Sequence, residues 1–299
     1  MDKRVLNKTG WWMKLSAFIF PLSVLISCDQ QEIVPQDETK GAAIVIESVQ
    51  QTHLTTRAAT TPLTSGSIGV FVSGGIKNYS NVEWSCADSK WTSIQTMYYD
   101  GKNSNQQIGA YAPYSDAVTD GSKLAIILPA DQSEALATDY LYAAYSAMSS
   151  NEVSFTLNHL LAKVAVKVSW GTEYAENPVK TIQLLGMYNK ATWTVPGSAL
   201  DFGTSSTADI TPMKTDNAYE ALVLPYNYTH DVTLAITTTD HRYFEAAVQP
   251  TAEIPLFEGG CGYTVKVKVG KDKVTIKSVT VNDSNNPWNG WNGGEEDLN

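Results

Sequence analysis

The sequence is poor in the residues that build most catalytic and metal centres. Its 299 residues include three cysteines and four histidines. None of the histidines stands in an HExxH or CxxC-type frame (His53, His159, His230, His241), so a zinc site would have to be assembled from distant strands. The GxSxG pattern of serine hydrolases is missing, as is a glycine-rich phosphate loop opening a helix. We therefore expect no enzyme, metal or cofactor, although a glycosidase-type carboxylate pair would leave no sequence pattern.

Charged residues are also scarce, at 17% of the chain, and the net charge is -10. An acidic surface repels phosphate backbones, which disfavours nucleic acid as a partner. Tyrosine and tryptophan, by contrast, are plentiful, with 15 and 8 residues. Together with frequent Thr and Val, this composition is typical of β-proteins.

Helical periodicity is almost absent, and residues 158–164 (NHLLAKV) are the best candidate for a single helical turn. Short segments with alternating apolar and polar residues recur along the chain instead, with turn residues between them. This spacing predicts antiparallel β-sandwiches. The Ser-rich segment 146–154 (SAMSSNEVS) separates two series of strand candidates. We therefore expect domains at residues 58–152 and 153–281, followed by an irregular acidic tail at 282–299.

The amino terminus has the pattern of an export signal. Four basic residues precede the apolar run LSAFIFPLSVLIS, which is too short and too broken by proline for a membrane span. Its end, Leu25 to Cys28, has the order of a lipobox, in which the cysteine thiol receives diacylglycerol. We interpret residues 1–27 as a lipoprotein signal peptide and Cys28 as an acylated membrane anchor. The alternative is an ordinary signal peptide with a chance cysteine.

A tether and an isolated strand candidate follow the cysteine. Residues 29–41 are polar and should be flexible. The β-prone run AAIVIESV at 42–49 comes next, and then a Thr-rich linker that contains Arg57. Residues 28–57 are thus expected to form a lipidated tether with a first strand.

The remaining cysteines and the aromatic residues leave alternatives open. A disulfide between Cys86 and Cys261 would have to join the two series of strands, which is geometrically demanding; two isolated apolar side chains are the simpler interpretation. Strand tyrosines such as Tyr98, Tyr99, Tyr111 and Tyr114 could stack on sugars or fill the core, and we favour the core. Trp288 and Trp291 in the tail are possible ligand-stacking residues.

An ordered set of motifs resembles a known family. The segments are IGVFV, IGAYAPY, LPADQS with DYLYA, FTLNHLLAKVAVKV, GGCGYTVKVKV and VTVNDSNNPWNGW. In this order they resemble the fimbrillin-like lipoproteins of oral and gut Gram-negative anaerobes, the subunits of type V pili. The resemblance implies two transthyretin-like antiparallel β-sandwich domains in tandem, export as a lipoprotein, and assembly with other pilin subunits into a cell-surface fimbrium that mediates adhesion.

The same resemblance implies a role for Arg57. In this family an arginine-specific surface protease cuts near the first strand of the mature domain, here between Arg57 and Ala58. Loss of residues 28–57 would remove the lipid and the strand that carries the apolar residues Ile44, Val45, Ile46 and Val49. The groove left behind could accept a strand from a neighbouring subunit. An uncleaved linker remains the alternative, and the short tail after Val281 leaves stalk, anchor and tip roles open.

A second function competes with this one. A surface lipoprotein that never polymerises could bind a host glycoprotein or glycan through tyrosine and tryptophan side chains. Protein without residues 28–57 would form ladders under the first hypothesis and remain monomeric while binding sugar under the second.

Overall fold

The computed structural model describes residues 41–52, 60–102, 105–119, 121–203, 207–226, 232–248 and 257–281. These residues form strands and connections, with no helix among them. Within the described ranges there is accordingly no helix that is long and apolar enough to cross a bilayer. The strands are β1 (Ala42–Ala43), β2 (Val45–Thr52), β3 (Thr60–Pro62), β4 (Gly66–Ser73), β5 (Tyr79–Ala87), β6 (Lys90–Thr92), β7 (Tyr98–Tyr99), β8 (Gln107–Ala112), β9 (Lys123–Ile127), β10 (Leu141–Ala147), β11 (Glu152–His159), β12 (Ala162–Trp170), β13 (Val179–Tyr188), β14 (Lys190–Thr194), β15 (Leu200–Asp201), β16 (Thr207–Ile210), β17 (Met213–Lys214), β18 (Tyr219–Val223), β19 (Val232–Thr238), β20 (Tyr243–Val248), β21 (Gly262–Val269) and β22 (Val274–Val281).

The first half of the described chain builds one eight-stranded sheet. Its strand order is β3-β2-β11-β10-β8-β4-β5-β6, and a separate two-stranded ladder joins β1 to β7. The sheet curls around a core that includes Trp84, Trp91, Phe155 and Leu157. Although β2 and β6 lie far apart in the strand order, they approach each other in space. The first strands of the chain therefore close this half of the molecule.

The second half is a two-layer sandwich. A five-stranded sheet, β17-β18-β12-β21-β22, and a four-stranded sheet, β16-β13-β19-β20, share one apolar core. Strand β12 is parallel to β21, and β21 is antiparallel to the edge strand β22. The valines of β12 and β21 alternate inward, as expected for strands with one face on a core. The all-β sandwich fold predicted from the sequence is confirmed.

A third apolar cluster connects the two halves. Strand β9 of the first half pairs with β14 of the second, in the three-stranded sheet β15-β14-β9. Trp193 on β14 is fully buried, and its ring meets that of Tyr111 edge-on with centroids 5.5 Å apart. The described residues all belong to one compact unit. The division into two domains stays a prediction.

The segment 146–154, expected as a boundary, lies at the turn between β10 and β11. These two strands pair with each other, with Leu141 opposite His159, so β11 completes the eight-stranded sheet. The chain leaves this sheet at Leu160 and Leu161, and β12 begins the five-stranded sheet. The candidate helical turn at 158–164 is wrong, because those residues end β11 and begin β12.

The cysteines expected to remain after lipidation, Cys86 and Cys261, are both free thiols. Cys86 is buried on β5 among apolar residues of the first core. Cys261 is half-buried just before β21, and burial raises the pKa of its thiol. The two side chains belong to the cores of different halves.

Candidate strand-exchange site

The segment of residues 41–52 is bound on both sides. On one side β1 pairs with β7, Ala42 opposite Tyr99, and the backbone N–H of Ile44 donates to the carbonyl of Met97 at 2.8 Å. On the other side β2 runs parallel to β11 from Val45 to Gln51. We call residues 41–52 the plug segment. It lies within the sheet, not loose on its surface.

Three aliphatic side chains of the plug segment enter the core. Ile44, Ile46 and Val49 are 4%, 3% and 1% exposed, whereas Val45 points outward and is 48% exposed. Strict alternation would place residues 44, 46 and 48 inward and leave Val49 outside. The inward side chains thus follow a spacing of two residues and then three.

A β-bulge at Glu47 causes this change of spacing. Ile46 is paired with Val153 and Ser48 with Ser154, so Glu47 has no partner on β11. One extra residue on one strand turns the following side chains to the opposite face. Val49 is thereby brought opposite Phe155 in the core, and the Glu47 side chain is exposed.

Polar contacts also attach the plug segment to β11 and the turn before it. The N–H of Val45 donates to the carbonyl of Asn151, whose side-chain amide donates to the carbonyl of Ala43 at 2.9 Å. The hydroxyl of Ser48 donates to that of Ser154 at 3.0 Å. These bonds fix the register, since a shifted strand would lose them together.

His159 lies at the carboxyl end of the plug segment. Its Nδ1 is 2.6 Å from a carboxylate oxygen of Asp139, and its Nε2 is 3.2 Å from the carbonyl oxygen of Thr52. The side chain is 8% exposed. Both ring nitrogens are thus engaged, so His159 connects the end of the plug segment to Asp139.

Strand β3 pairs with the outer edge of β2. Gln50, Gln51 and Thr52 are opposite Pro62, Thr61 and Thr60, and the N–H of Leu63 donates to the carbonyl of Val49 at 2.8 Å. Strands β2 and β3 are therefore the two arms of an antiparallel hairpin, connected by residues 53–59. The pair Arg57 and Ala58 falls in that connection.

Several residues singled out in the sequence lie outside the described residues. They are Cys28, Arg57, Ala58, Trp288 and Trp291. Lipidation, processing and ligand stacking at these positions stay predictions.

The strand tyrosines do not form one exposed platform. Tyr111 is fully buried, and its hydroxyl donates to Asn81 and accepts from the N–H of Ser115. Burial raises the pKa of Tyr111 to about 12. Tyr98 and Tyr99 pair with β1 and are half-buried beside the first core.

A cavity that no sequence motif indicated lies near the end of the plug segment. Its volume is about 430 Å³. The walls include His159, Tyr142 and Ser198, and Phe202 packs on Tyr226 with ring centroids 4.6 Å apart. These residues come from connections and strand ends that are distant in the sequence, so no local pattern could have revealed the cavity. Within the described ranges, no group of three or more His, Cys, Asp or Glu side chains could hold a metal.

Comparisons with known proteins agree with this architecture. A family model described as fimbrillin-like matches residues 56–283. A candidate cell adhesion protein of Bacteroides uniformis is 21% identical, with 81% of this chain and 99% of that chain covered and a TM-score of 0.65. The tip fimbrial protein Mfa3 of Porphyromonas gingivalis, truncated at its C-terminus, is 9% identical, with 80% and 99% covered and a TM-score of 0.53. A comparison with curated proteins gave no match.

Proposed function

Because the chain belongs to the fimbrillin-like family, we propose that it is a structural subunit of a cell-surface pilus that joins its neighbours by strand exchange. The observation that carries this proposal is the plug segment, which is bound in the first sheet and yet directly precedes the connection that contains Arg57. A subunit of this kind performs no catalysis and needs no cofactor. Stalk, anchor and tip roles are all compatible with it.

The route to the surface follows from the amino terminus. In our proposal residues 1–27 direct export, Cys28 carries the fatty acyl groups that hold the protein in the outer membrane, and residues 29–41 are a tether. Cleavage after Arg57 then separates the lipid-bearing segment from the remainder of the chain.

The same cleavage would create a binding groove. Without residues 28–57, β11 loses its parallel partner and β3 loses its only partner among the described strands. The core surface beneath Ile44, Ile46 and Val49 becomes accessible as well. At 1.5–3 kcal/mol for each buried aliphatic side chain, refilling the groove is worth roughly 5–9 kcal/mol, which is an upper bound.

This free energy explains why cleavage would control assembly. Before cleavage the plug segment is part of the same chain and competes with any incoming strand at high effective concentration. After cleavage it can dissociate, and a strand from a neighbouring subunit can pair with β11 and cover the same core. The unpaired edge that remains would otherwise be an aggregation site.

Processing by an arginine-specific protease tests the proposal. Treated protein should have a new amino terminus at Ala58 by mass spectrometry and should form SDS-resistant ladders on gels. The matched variant Arg57→Lys should stay intact and monomeric with that protease, but should be cut and polymerise with a lysine-specific protease. Ladders from intact Arg57→Lys protein, or cut protein that remains monomeric, would contradict the mechanism.

A second candidate function is binding of a neutral host glycan at the cavity lined by Tyr142, Ser198, Phe202 and Tyr226, which we call the aromatic cavity. The rings of Phe202 and Tyr226 offer apolar faces, and the hydroxyls of Tyr142 and Ser198 offer hydrogen bonds. A pyranose ring combines an apolar face with a rim of hydroxyls, and the cavity volume lies in the range of small-ligand sites. Saturation-transfer NMR with galactose and N-acetylglucosamine should give signals that Phe202→Ala removes; equal signals with both proteins would exclude this cavity.

A further inference from the structure

The outer face of the five-stranded sheet carries a group of lysines. The valines of β12 and β21 point into the second core, so the residues that alternate with them point away from it. Lys167 on β12 is opposite Lys266 on β21, and Lys268 is the next outward residue of β21. Lys277 is exposed on β22, next to Ser278, which is the partner of Lys266. We call Lys167, Lys266, Lys268 and Lys277 the basic strip.

The charge of the basic strip is opposite to that of the whole chain, which is -10. Residues 262–281 form β21, β22 and the turn between them, and they contain five lysines and one aspartate. Lys271 and Lys273 in the turn are both exposed and extend the positive charge beyond the end of the sheet. This local excess would attract a polyanion that the acidic remainder of the chain repels.

Protection of a sheet edge does not explain the basic strip. Lysines on edge strands discourage pairing with other chains, and this purpose suits Lys277 on β22. Lys167 and Lys266, however, lie on β12 and β21, which have hydrogen-bonded neighbours on both sides. The backbones of these interior strands are about 5 Å apart, and two like charges directly opposite each other cost stability. A bound anion would reduce that repulsion.

Carboxylates at the same end of the sandwich do not cancel the positive charge. Asp240 and Asp272 both pair with Arg242, at 3.3 Å each. The carboxylate of Glu173 accepts the backbone N–H of Lys271 at 3.1 Å. Two of these three carboxylates are therefore neutralised by Arg242, and the four lysines of the basic strip remain in excess.

The arrangement of the lysines suits a stiff linear polyanion. Lys266 and Lys268 are about 6.6 Å apart along one strand, and the strip together with the turn extends over roughly 15 Å. The open face of a sheet does not enclose a small ligand, but it can contact several charged groups of a polymer. A sulfated polysaccharide presents such groups in a row. Because it is stiffer than an acidic peptide, it loses less conformational entropy on binding.

We propose that the basic strip binds a sulfated polysaccharide, in addition to the role of the chain as a pilus subunit. The ammonium groups of the four lysines contact sulfates, and the release of counter-ions from the polyanion makes binding weaker at high salt. The basic strip shares no residue with the plug segment or with the lining of the aromatic cavity. The proposal therefore does not depend on strand exchange.

Surface plasmon resonance over immobilised heparin, a densely sulfated polysaccharide, tests the proposal with purified full-length protein in detergent. The strip variant neutralises the four lysines (Lys167→Gln, Lys266→Gln, Lys268→Gln and Lys277→Gln). The control variant makes the same change of net charge at four exposed lysines elsewhere (Lys77→Gln, Lys90→Gln, Lys102→Gln and Lys180→Gln). We expect the affinity for heparin to fall about thirtyfold in the strip variant. In the control variant it should fall by less than about threefold, because distant charges are screened.

A third variant separates charge from folding. With arginine at the same four positions the protein should bind heparin as the unchanged protein does; loss of binding would overturn the proposal, since an altered fold would then account for the glutamine variant. Equal losses in the strip and control variants, or no binding of heparin by the unchanged protein, would also overturn it. Polyglutamate that competes as well as heparin at equal charge would replace the polysaccharide with an acidic protein partner. None of these results bears on the formation of ladders after cleavage, which tests strand exchange separately.

Discussion

The two valines of the plug segment should respond very differently to the same substitution. Val49 is 1% exposed and faces Phe155, whereas Val45 is 48% exposed. Val49→Ala removes two buried methyl groups, worth about 0.8 kcal/mol each, and leaves a small cavity. We expect the free energy of unfolding to fall by about 2 kcal/mol. Val45→Ala should change it by less than about 0.5 kcal/mol.

Urea denaturation of the intact chain measures both values. Trp84 and Trp91 lie in the core that Val49 enters, so tryptophan fluorescence reports on the relevant half. The intrinsic strand preference of valine over alanine affects both variants, and the comparison largely removes it. Equal losses, or a larger loss for Val45→Ala, would refute the bulged register at Glu47, because an unbulged strand would place Val45 and Val49 on the same face.

Two further predictions concern buried polar groups. Lys163 and Glu220 form an ion pair of 2.7 Å, with side chains 11% and 8% exposed. In urea denaturation Glu220→Gln should lower the free energy of unfolding by about 3–5 kcal/mol, and the double variant Lys163→Met with Glu220→Leu should lower it much less. An unchanged free energy of unfolding for Glu220→Gln would contradict the burial of the pair. Burial raises the pKa of Tyr111 and of Tyr263 to about 12 from the ordinary value of 10.0. The stability that these neutral phenols contribute is therefore complete below pH 10 and is lost as the pH rises toward 12. Ultraviolet titration should show these two tyrosines ionising last, and the variants Tyr111→Phe and Tyr263→Phe should remove that late phase.

The fold class was predictable because its evidence is local. Alternation in segments such as AKVAVKV and YTVKVKV corresponds in β12 and β21 to valines that point into the second core at every other position. The role of the Ser-rich segment 146–154 was harder to predict, because Ser-rich turns occur inside sheets as well as between them. Nothing in residues 146–154 distinguishes a hairpin turn from a linker; the pairing of Leu141 with His159 does.

The candidate site was predictable in part. An isolated β-prone run before Arg57 indicated a separable strand, but its orientation was ambiguous, because Ile44, Val45, Ile46 and Val49 do not fit a single alternating face. The bulge at Glu47 resolves this, and a bulge depends on the partner strand as much as on the strand itself. The aromatic cavity had no sequence signal, since Tyr142, Phe202 and Tyr226 meet only after folding.

Composition, period-two alternation and the order of motifs were enough to establish an all-β chain of the fimbrillin-like family, since each of these properties is carried by neighbouring residues. The parallel pairing of β2 with β11 and the inward turn of Val49 required the folded chain. Those features depend on which distant strands become neighbours and in what register. Backbone hydrogen bonds between strands are largely independent of the side chains, so the sequence of a strand does not indicate which partner it pairs with or in what register.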